Sequence, residues 1–352
     1  MRALLLAVVI VSNAAWSAEA PWANELRAEL ARRSADGSFS GSVLVARGDR
    51  VLFTAASGDA DLGRRIPNTV ETKFRFGSLG KMFTAVAIAQ LEQAGKLRYD
   101  DPLGKYLAGY PNADVARVTL HQLLTHTGGT GDIFGPDFAE HRDELRELRD
   151  YVALYGARGT DFPPGSEHEY SNYGFILLGR VIEVVSGQSY EAYVREHVFL
   201  PAGMKATGNR PENSHVPGLA RPYTGHPLQP AEDTLPWSGT SAGGGYSSVG
   251  DLLKFARALR SNRLLDADHT RTVMTGKVDT PRPGLRYAYG FEDGILPNGL
   301  HRVGHGGGAP GMNGVLAIYP EQDFVVVVLA NRDPPAAVAL NRFIDEHVVL
   351  YK

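Results

Sequence analysis

Apolar residues alternate with other residues near the start of the chain and return in dense runs near its end, and both patterns are typical of β-strands. In GSVLVARGDRVLFTAASG, the alternating residues lie on both sides of Gly48-Asp49 and predict a hairpin with a tight turn. The segments GVLAIYP and DFVVVVLANRD predict two further strands, with a turn at Glu321-Gln322 between them. The strands are therefore expected at the two ends of the chain.

Helical spacing predominates elsewhere. NELRAELARRSADG predicts a helix before the hairpin, and an amphipathic pattern from about 336 to 350 predicts a closing helix. Between about 100 and 264, the segments HQLLTHTGG, SNYGFILLGRVIEVVSG and SYEAYVREHVF each predict a helix. The charged segment EHRDELRELRDYVALY predicts one solvent-facing helix with Leu145, Leu148 and Val152 on its inner face.

Strands at both ends with helices between them predict an α+β fold. We expect the two ends to pair in one antiparallel sheet flanked by the first and last helices. Residues 21–352 are then a single domain, in which 21–80 and 265–352 form an α/β lobe and 81–264 form a mostly helical lobe. Ligand sites are favoured at such lobe boundaries, so the cleft between the lobes is the expected site.

Composition narrows the possible partners. With 352 residues and 43% apolar content, the chain can bury a sizeable core. A formal charge of −3 and a pI near 6.4 provide no basic surface for nucleic acid. The chain has no cysteine, which excludes disulfides and thiolate metal sites. We expect a small-molecule or peptide substrate and no cofactor, and the sequence leaves the oligomeric state open.

The first twenty residues have the layout of a secretory signal peptide. Arg2 precedes an apolar run over residues 3–11, and the small and polar stretch SNAAWSAEA follows. That run is too short to span a bilayer, and no later segment approaches about eighteen unbroken apolar residues. Cleavage is predicted after Ser17 or Ala20, with Pro21 disfavouring the second position. We therefore expect a periplasmic or secreted protein without stable membrane insertion.

Ser78 and Lys81 stand three residues apart where the apolar helix of FRFGSLGKMFTAVAIAQL begins, and this helix is expected to end near Gly95. Positions i and i+3 share a helix face, so the amine can reach the hydroxyl. Burial can keep a lysine neutral, and a neutral lysine can remove the proton of a serine. A helix cap beside a surface lysine is the alternative interpretation. The helix is apolar all round, however, and a buried charge without a function would be costly.

Two further segments carry side chains suited to catalysis. In EHEYSNYGF, the phenol of Tyr170 can exchange a proton and the amide of Asn172 can hold both a lysine and a substrate carbonyl. The alternative is an ordinary helix start, capped by Ser171 or Asn172. In HRVGHGGGAPGMNGVLAIYP, His305 precedes three glycines, whose backbone N–H groups can stabilise negative charge on a substrate. A flexible turn with a solvated histidine is the alternative there.

Three other motifs are weaker. Gly304 to Ala309 loosely matches a dinucleotide-binding loop but lacks the preceding strand and following helix that such a loop needs. GTSAG matches a nucleophile elbow around Ser241, with Asp266 and His305 downstream, but the segment before it is polar and interrupted by proline. A metal site on His121 and His126 fails on spacing, because residues five apart on a helix do not share a face.

Three short motifs occur in one order along the chain: Ser78-x-x-Lys81, Tyr170-x-Asn172 and His305-x-Gly307. Together they resemble the class C β-lactamase family, a group of serine hydrolases that includes D-alanyl-D-alanine carboxypeptidases, D-aminopeptidases and esterases. The resemblance runs from about Ser40 to the C-terminus and includes LLTHTGG, FLPAGM, AGGGYSSVGDLLKF and YAYGF. It implies the fold of serine β-lactamases and penicillin-binding proteins, in agreement with the two predicted lobes.

The resemblance also implies a role for each motif residue. Ser78 would be the acylated nucleophile, Lys81 its partner, and Tyr170 the general base that later activates water. Either Lys81 or an ionised Tyr170 would take the first proton. The remaining implied contacts are with substrate. Asn172 would bind the substrate carbonyl, and His305 and Gly307 would occupy the positions of the third motif. The N–H groups of Ser78 and Gly308 would form the oxyanion hole.

The third motif departs from the family pattern. β-Lactamases usually carry Lys-Thr-Gly where this chain has His305-Gly306-Gly307, and the peptidases commonly carry a hydroxyl residue at the position of Gly308. Those groups help to hold a substrate carboxylate. Without the hydroxyls, neutral esters or amides are favoured, although a histidine charged below about pH 6.5 would still accept an acidic substrate.

The sequence thus predicts a periplasmic serine hydrolase that acts through an acyl-enzyme, with esterase activity favoured. The alternatives are a β-lactamase, a D-alanyl-D-alanine carboxypeptidase or D-aminopeptidase, and a penicillin-binding sensor that keeps its acyl group. The aromatic candidates for the pocket wall are Phe134, Trp237 and Tyr223.

Overall fold

An eight-stranded antiparallel sheet organises the structure, and both ends of the chain contribute to it. A computed structural model describes residues 21–211, 214–232 and 236–349. The strands of the described chain are β1 Gly41–Arg47, β2 Arg50–Ser57, β3 Asp59–Asp61, β4 Ile66–Pro67, β5 Phe74–Arg75, β6 Tyr223–Thr224, β7 Gln229–Pro230, β8 Tyr246–Ser247, β9 Val278–Asp279, β10 Leu285–Tyr287, β11 Glu292–Ile295, β12 His301–Ala309, β13 Met312–Tyr319 and β14 Phe324–Ala330. The main sheet has the order β2-β1-β14-β13-β12-β11-β10-β9, which confirms the predicted pairing of the two chain ends.

Helices cover the sheet and fill the middle of the chain. They are α1 Pro21–Ala35, α2 Gly80–Gln93, α3 Ala113–Ala116, α4 Leu120–Leu124, α5 Pro136–His141, α6 Leu148–Tyr155, α7 Asn172–Ser186, α8 Tyr190–Val194, α9 Leu200–Ala202, α10 Val249–Arg260, α11 Ala267–Met274 and α12 Ala336–His347. Two 3-10 turns, Gly77–Leu79 and Leu103–Lys105, and a π-helical segment, Arg195–Phe199, complete the regular structure of the described residues. None of these helices has the length and apolar character needed to cross a membrane.

The central strands are buried on both faces, which explains their unbroken apolar sequence. Every residue of β13 and β14 is buried. One face packs against α1 and α12 through side chains such as Leu26, Leu340 and Ile344. The other face packs against a larger apolar cluster that includes α2, α7 and α10. The predicted flanking of the sheet by the first and last helices is thereby confirmed, whereas the division into two lobes with the predicted boundaries stays a prediction.

Helix α2 is enclosed by protein on almost every side, as its apolar sequence predicts. The Phe83 ring makes edge-to-face contacts with Phe76, Phe199 and Phe255, at centroid distances of 5.5, 5.1 and 4.8 Å. Each such pair contributes about 0.5–1.5 kcal/mol beyond the burial of its area. The first turn of α2, which carries Lys81, is therefore held in a rigid setting.

The charged segment EHRDELRELRDYVALY, residues 140–155, does not form the single helix predicted for it. The structure divides it into α5 and α6, with a turn between them. Glu147 has an extended backbone and a capping box with Asp150, so the chain starts a new helix at this point. Leu145 is buried in the connecting turn. The prediction was wrong because apolar spacing treats residues 140–155 as one helix, whereas α5 ends at His141 and the capping box at Glu147 starts a second helix.

Two other predictions concern the two ends of the chain, where the described residues begin and end. The predicted signal peptide, residues 1–20, lies wholly outside them. The closing helix was expected to reach about residue 350, and α12 ends at His347. Gly95, the predicted end signal of α2, adopts a left-handed backbone with φ +68°, as an end position of this kind requires.

His301 joins two parts of the sheet through carboxylates. Its Nε2 lies 2.6 Å from Asp293 of β11, and its Nδ1 lies 2.8 Å from Glu321 in the turn between β13 and β14. Burial alone would lower the pKa of His301, but hydrogen bonds to the two carboxylates raise it above its ordinary value. The charged imidazole is therefore favoured in the folded protein.

We expect this contribution to stability to depend on pH. A raised pKa stabilises the fold fully below the unfolded value of about 6.5, and the contribution is lost as pH rises through the folded value. His301→Gln should therefore lower the free energy of unfolding more at pH 5.5 than at pH 8.5. Urea denaturation of both proteins at the two pH values measures this, and equal destabilisation at both would contradict it.

Candidate active site

Ser78 sits on a sharp backbone turn between β5 and α2. Strand β5 pairs with β8, and Phe76 N donates to Gly245 O at 3.0 Å. Gly77 then adopts φ +54°, which starts the 3-10 turn that carries Ser78 into the helix. A Cβ on Gly243 would lie 2.3 Å from Gly77 O. This close approach of two backbones needs glycine and fixes the turn that presents the hydroxyl.

Lys81 lies one helical turn beyond Ser78, and its side chain is completely buried. Its Nζ donates to Asn172 Oδ1 and to Ala242 O, both at 2.7 Å, and lies 3.4 Å from Ser78 Oγ. Burial lowers the pKa of Lys81 to about 7, although the charge of Asp132 acts in the opposite direction. A neutral amine has two N–H donors and one lone pair. With both donors used by Asn172 and Ala242, the lone pair is left for the Ser78 hydroxyl.

Tyr170 lies beside both the serine and the lysine. Its phenol forms a hydrogen bond with Ser78, and its ring centroid is 4.7 Å from Lys81 Nζ. The residue is 37% exposed and lines the pocket that contains Ser78. Burial of the phenol raises the pKa of Tyr170 above its ordinary value, and the hydrogen bond from Ser78 opposes this only in part. The phenol therefore keeps its proton at neutral pH.

Asn172 is the first residue of α7, and the structure separates its role from that of its neighbour. Ser171 caps the helix by accepting from Gly174 N at 2.9 Å. The amide of Asn172 is thereby free to bridge: Oδ1 accepts from Lys81, and Nδ2 donates to Asp132 Oδ1 and Oδ2 at 3.0 and 2.9 Å. The alternative interpretation, an ordinary helix start, accounts for Ser171 but not for Asn172.

Asp132 was missed by the sequence analysis. It stands in the loop segment TGDIFG, directly after LLTHTGG, and its partner Asn172 is forty residues away along the chain. An acidic residue among glycines is also typical of an ordinary turn. The one available signal was its position beside a segment that already resembled a family motif.

His305 is 5% exposed on β12, and it is absent from the described walls of the pocket around Ser78. Its Nε2 lies 2.9 Å from the Tyr287 hydroxyl, and its Nδ1 contacts the carbonyl of Gly306. Its ring centroid is 6.3 Å from that of Tyr170. Burial lowers the pKa of His305, which makes the neutral imidazole the form expected at neutral pH. A direct contact between His305 and substrate stays a prediction.

The glycines after His305 bring the backbone of β12 against the serine turn. A Cβ on Gly307 would lie 2.0 Å from Phe76 O and 3.0 Å from Ser78 N, and one on Gly77 would lie 3.0 Å from Gly308 N. The N–H groups of Ser78 and Gly308 therefore belong to one small region of the pocket wall. Two neighbouring backbone donors are the arrangement that stabilises an oxyanion.

The pocket that contains Ser78 has a volume of about 200 Å³. Its apolar walls include Ile133, Phe134, Pro236 and Met312, and the described part of its lining carries no charged side chain. Phe134 is 47% exposed, as its predicted place in the wall requires.

The two other predicted aromatic walls lie elsewhere. Tyr223 is buried, with its hydroxyl accepting from Leu62 N at 2.9 Å. Trp237 packs beneath Arg146, whose guanidinium carbon lies 3.7 Å from the indole centroid. Neither residue is among the described walls of the pocket around Ser78.

The weaker motifs do not assemble into sites. Ser241 is completely buried and Asp266 pairs with His269, so the residues of an elbow triad are not together. Residues 304–309 belong to β12, which is followed by β13 and not by a helix, as the rejection of a dinucleotide loop expects. Among the residues that the structure describes, no group of three or more histidine or acidic side chains is placed to hold a metal ion.

This chain is similar to known proteins over most of its length. The family model described as Beta-lactamase matches residues 26–349. Penicillin-binding protein 4 of Amycolatopsis lactamdurans is 30% identical over 312 residues, which cover 83% of this chain and 80% of that protein.

Two solved structures have the same fold. A penicillin binding protein from Bacillus halodurans matches with a TM-score of 0.82 and 34% identity, covering 90% of this chain and 99% of the other. A D-stereospecific amidohydrolase from Streptomyces sp. matches with a TM-score of 0.78 and 27% identity, covering 92% and 98%. Both similarities extend over almost the whole length of each chain, so they concern the fold as a whole.

Lys81 should titrate near pH 7, because burial disfavours its charged form. NMR of protein carrying ¹³C-labelled lysine side chains measures this directly, and Lys81→Met identifies the resonance by its loss. A Lys81 resonance that titrates near the ordinary lysine value of about 10.4 would contradict the proposed environment.

The close approach at Gly307 should make this position intolerant of any side chain. Gly307→Ala forces a Cβ into Phe76 O and should cost about 1–3 kcal/mol of stability, with displacement of the serine turn. Gly306→Ala is the matched control, since the nearest atom to its added Cβ is 3.9 Å away. Thermal denaturation of both variants measures the difference, and equal effects would show that the approach is not restrictive.

Proposed function

The chain belongs to the β-lactamase family of serine hydrolases, and we propose that it cleaves ester or amide bonds through an acyl-enzyme formed on Ser78. One observation carries the proposal. The Ser78 hydroxyl contacts both a buried lysine whose donors are already used and a phenol that keeps its proton. Such an arrangement supplies a proton acceptor and a proton donor around one nucleophile.

In acylation, neutral Lys81 accepts the Ser78 proton as Oγ attacks the substrate carbonyl carbon. The carbonyl oxygen becomes negative and is stabilised by the N–H groups of Ser78 and Gly308. When the tetrahedral intermediate collapses, the bond to the leaving group breaks and the leaving group takes the proton held by the Lys81 ammonium. This transfer is direct or runs through the Tyr170 hydroxyl, which gives its proton to the leaving group and receives the lysine proton in exchange, so the amine is neutral again. Since the pKa of Tyr170 is raised, Lys81 is the better first acceptor.

In deacylation, water attacks the carbonyl carbon of the Ser78 ester. Tyr170 lines the pocket and orients the water, and the neutral amine of Lys81 serves as the proton acceptor. The bond from Ser78 Oγ to the acyl carbon then breaks, and Oγ takes the proton from the Lys81 ammonium, which restores the neutral amine and the free hydroxyl. Asn172 contributes by fixing the amine that drives both halves of the reaction.

The pocket favours neutral, apolar acyl groups. Its described walls are uncharged, and burial keeps His305 neutral, so no cation is offered to a substrate carboxylate. The leaving group of an activated ester departs without being protonated, so such an ester requires the least from the catalytic groups. This supports esterase activity. The similarity to a D-stereospecific amidohydrolase supports amides as a second substrate class. The signal-like first twenty residues support action in the periplasm.

A penicillin-binding sensor is the second candidate, because relatives are named penicillin-binding proteins. Such a protein would acylate Ser78 and release the product very slowly. Intact mass spectrometry after incubation with a β-lactam and with a p-nitrophenyl ester separates the two functions. A lasting adduct from both without turnover would favour the sensor, and many turnovers of the ester favour the hydrolase.

Ser78→Ala should reduce ester turnover by at least about a thousandfold, because it removes the atom that forms the acyl bond. Its fold should be intact, since Ser78 lies half-buried at the pocket wall. Steady-state hydrolysis of p-nitrophenyl esters, with circular dichroism as the folding control, measures the effect. Undiminished turnover in a folded Ser78→Ala protein would refute the acyl-enzyme on this residue.

A further inference from the structure

Asp132 holds the Asn172 amide at the end opposite Lys81. The amide nitrogen Nδ2 donates to Asp132 Oδ1 and Oδ2 at 3.0 and 2.9 Å, while the amide oxygen Oδ1 accepts from Lys81 Nζ at 2.7 Å. The three side chains therefore form a chain of hydrogen bonds from a loop carboxylate to the amine beside the serine.

This chain of hydrogen bonds has a direction. The two ends of an amide are alike in shape, but one end only donates and the other only accepts. A rotated Asn172 would place its oxygen against the carboxylate of Asp132 and its N–H groups against the donors of Lys81. Asp132 therefore admits one orientation of the amide, the one in which the oxygen faces the amine.

The carboxylate is itself fixed in place. Its Oδ1 accepts from its neighbour's backbone, Ile133 N, at 2.6 Å, and Arg158 Nη1 donates to the Asp132 carbonyl at 3.0 Å. The preceding residues are tied to the start of α7, because Ser171 Oγ donates to Gly131 O and lies 2.9 Å from Thr130 Oγ1. The loop and the helix that carries Asn172 thus move together.

We infer that Asp132 is a positioning residue for acyl transfer, which orients Asn172 so that one Lys81 donor is occupied and the amine lone pair remains directed at Ser78. The inference rests on the proposed function of Ser78 and Lys81. Asp132 itself is not among the described walls of the pocket, so it acts through Asn172 and not on substrate.

Asp132 has a second, electrostatic effect on the amine. The other described titratable groups near Lys81 are His126, His305 and Tyr170, and burial disfavours the charged form of each. The negative charge of Asp132 is the one that raises the pKa of Lys81 against the lowering effect of burial. Removal of this charge should favour the neutral amine further, and this consequence distinguishes a positioning role from a merely structural one.

Asp132→Asn tests both effects. Loss of the directed amide should lower kcat/KM for a neutral p-nitrophenyl ester by about ten- to a hundredfold on the pH plateau. Loss of the charge should move the acidic limb of the kcat/KM profile to lower pH, and the NMR titration of Lys81 should move in the same direction. Asp132→Glu, which keeps the charge but displaces the oxygens, should lower kcat/KM and leave the acidic limb in place.

Asp137→Asn is the matched control. Asp137 lies five residues further along the chain, half-exposed, and accepts from Arg158 Nη2 at 2.6 Å. Its hydrogen bond is to Arg158 and not to Asn172, and an asparagine at this position keeps an oxygen that can accept from Arg158, so Asp137→Asn should leave both kcat/KM and the pH profile at wild-type values. Any common effect of losing a carboxylate from this region would appear in this variant as well.

The outcomes are distinct. Wild-type kcat/KM and an unmoved acidic limb in Asp132→Asn would overturn the inference, as would lower stability with a wild-type profile in the folded fraction. If Asp132→Asn does not fold, Asp132→Glu decides, and unchanged kcat/KM in that variant overturns the inference. Full activity of Ser78→Ala would instead refute the proposed function, whereas an inactive Ser78→Ala beside a fully active Asp132→Asn refutes only the role of Asp132.

Discussion

The complete burial of the Lys81 amine is the constraint on which the site depends. An amine removed from water must find acceptors within the protein, and two come from segments far along the chain, Asn172 and the carbonyl of Ala242. The same burial lowers the pKa of Lys81 to about 7. Near neutral pH the amine is therefore partly uncharged, which reduces the free-energy cost of burying it. Burial therefore explains both why the Lys81 amine needs hydrogen-bond acceptors within the protein and why this amine can accept a proton.

Backbone proximity is the second requirement, and glycine supplies it. The serine turn lies between the loop that contains Gly243 and the strand that contains Gly307, and side chains at these two positions would collide with backbone atoms of residues 76–78. The hydroxyl and the two N–H groups are thus placed by main-chain packing, which is stiffer than side-chain packing. The edge-to-face contacts of Phe83 hold the following helix against the same turn.

The site is surrounded by titratable groups that burial keeps neutral. Tyr170 has a raised pKa, and His126 and His305 have lowered ones, each because the charged form would be poorly solvated. Burial lowers the pKa of Lys81 to about 7, so near neutral pH its amine is partly in the neutral form that can accept the Ser78 proton. Asn172 connects this amine to Asp132. An uncharged pocket can therefore still contain a reactive nucleophile.

The sequence alone determined the elements and most of the residues that meet at the site. Alternation and apolar runs are local, so they predicted the hairpin, the final strands and the buried helix after Ser78, and helical spacing indicated Lys81. Side-chain chemistry made Tyr170 and Asn172 candidates, and the resemblance to a known family implied their roles. Only the tertiary structure revealed Asp132, the neutral state of His305 and the division of the charged segment into two helices, the second of which is capped at Glu147. The first two depend on contacts between distant segments and on burial, which no local pattern encodes, and the third on a capping geometry that competed with apolar spacing.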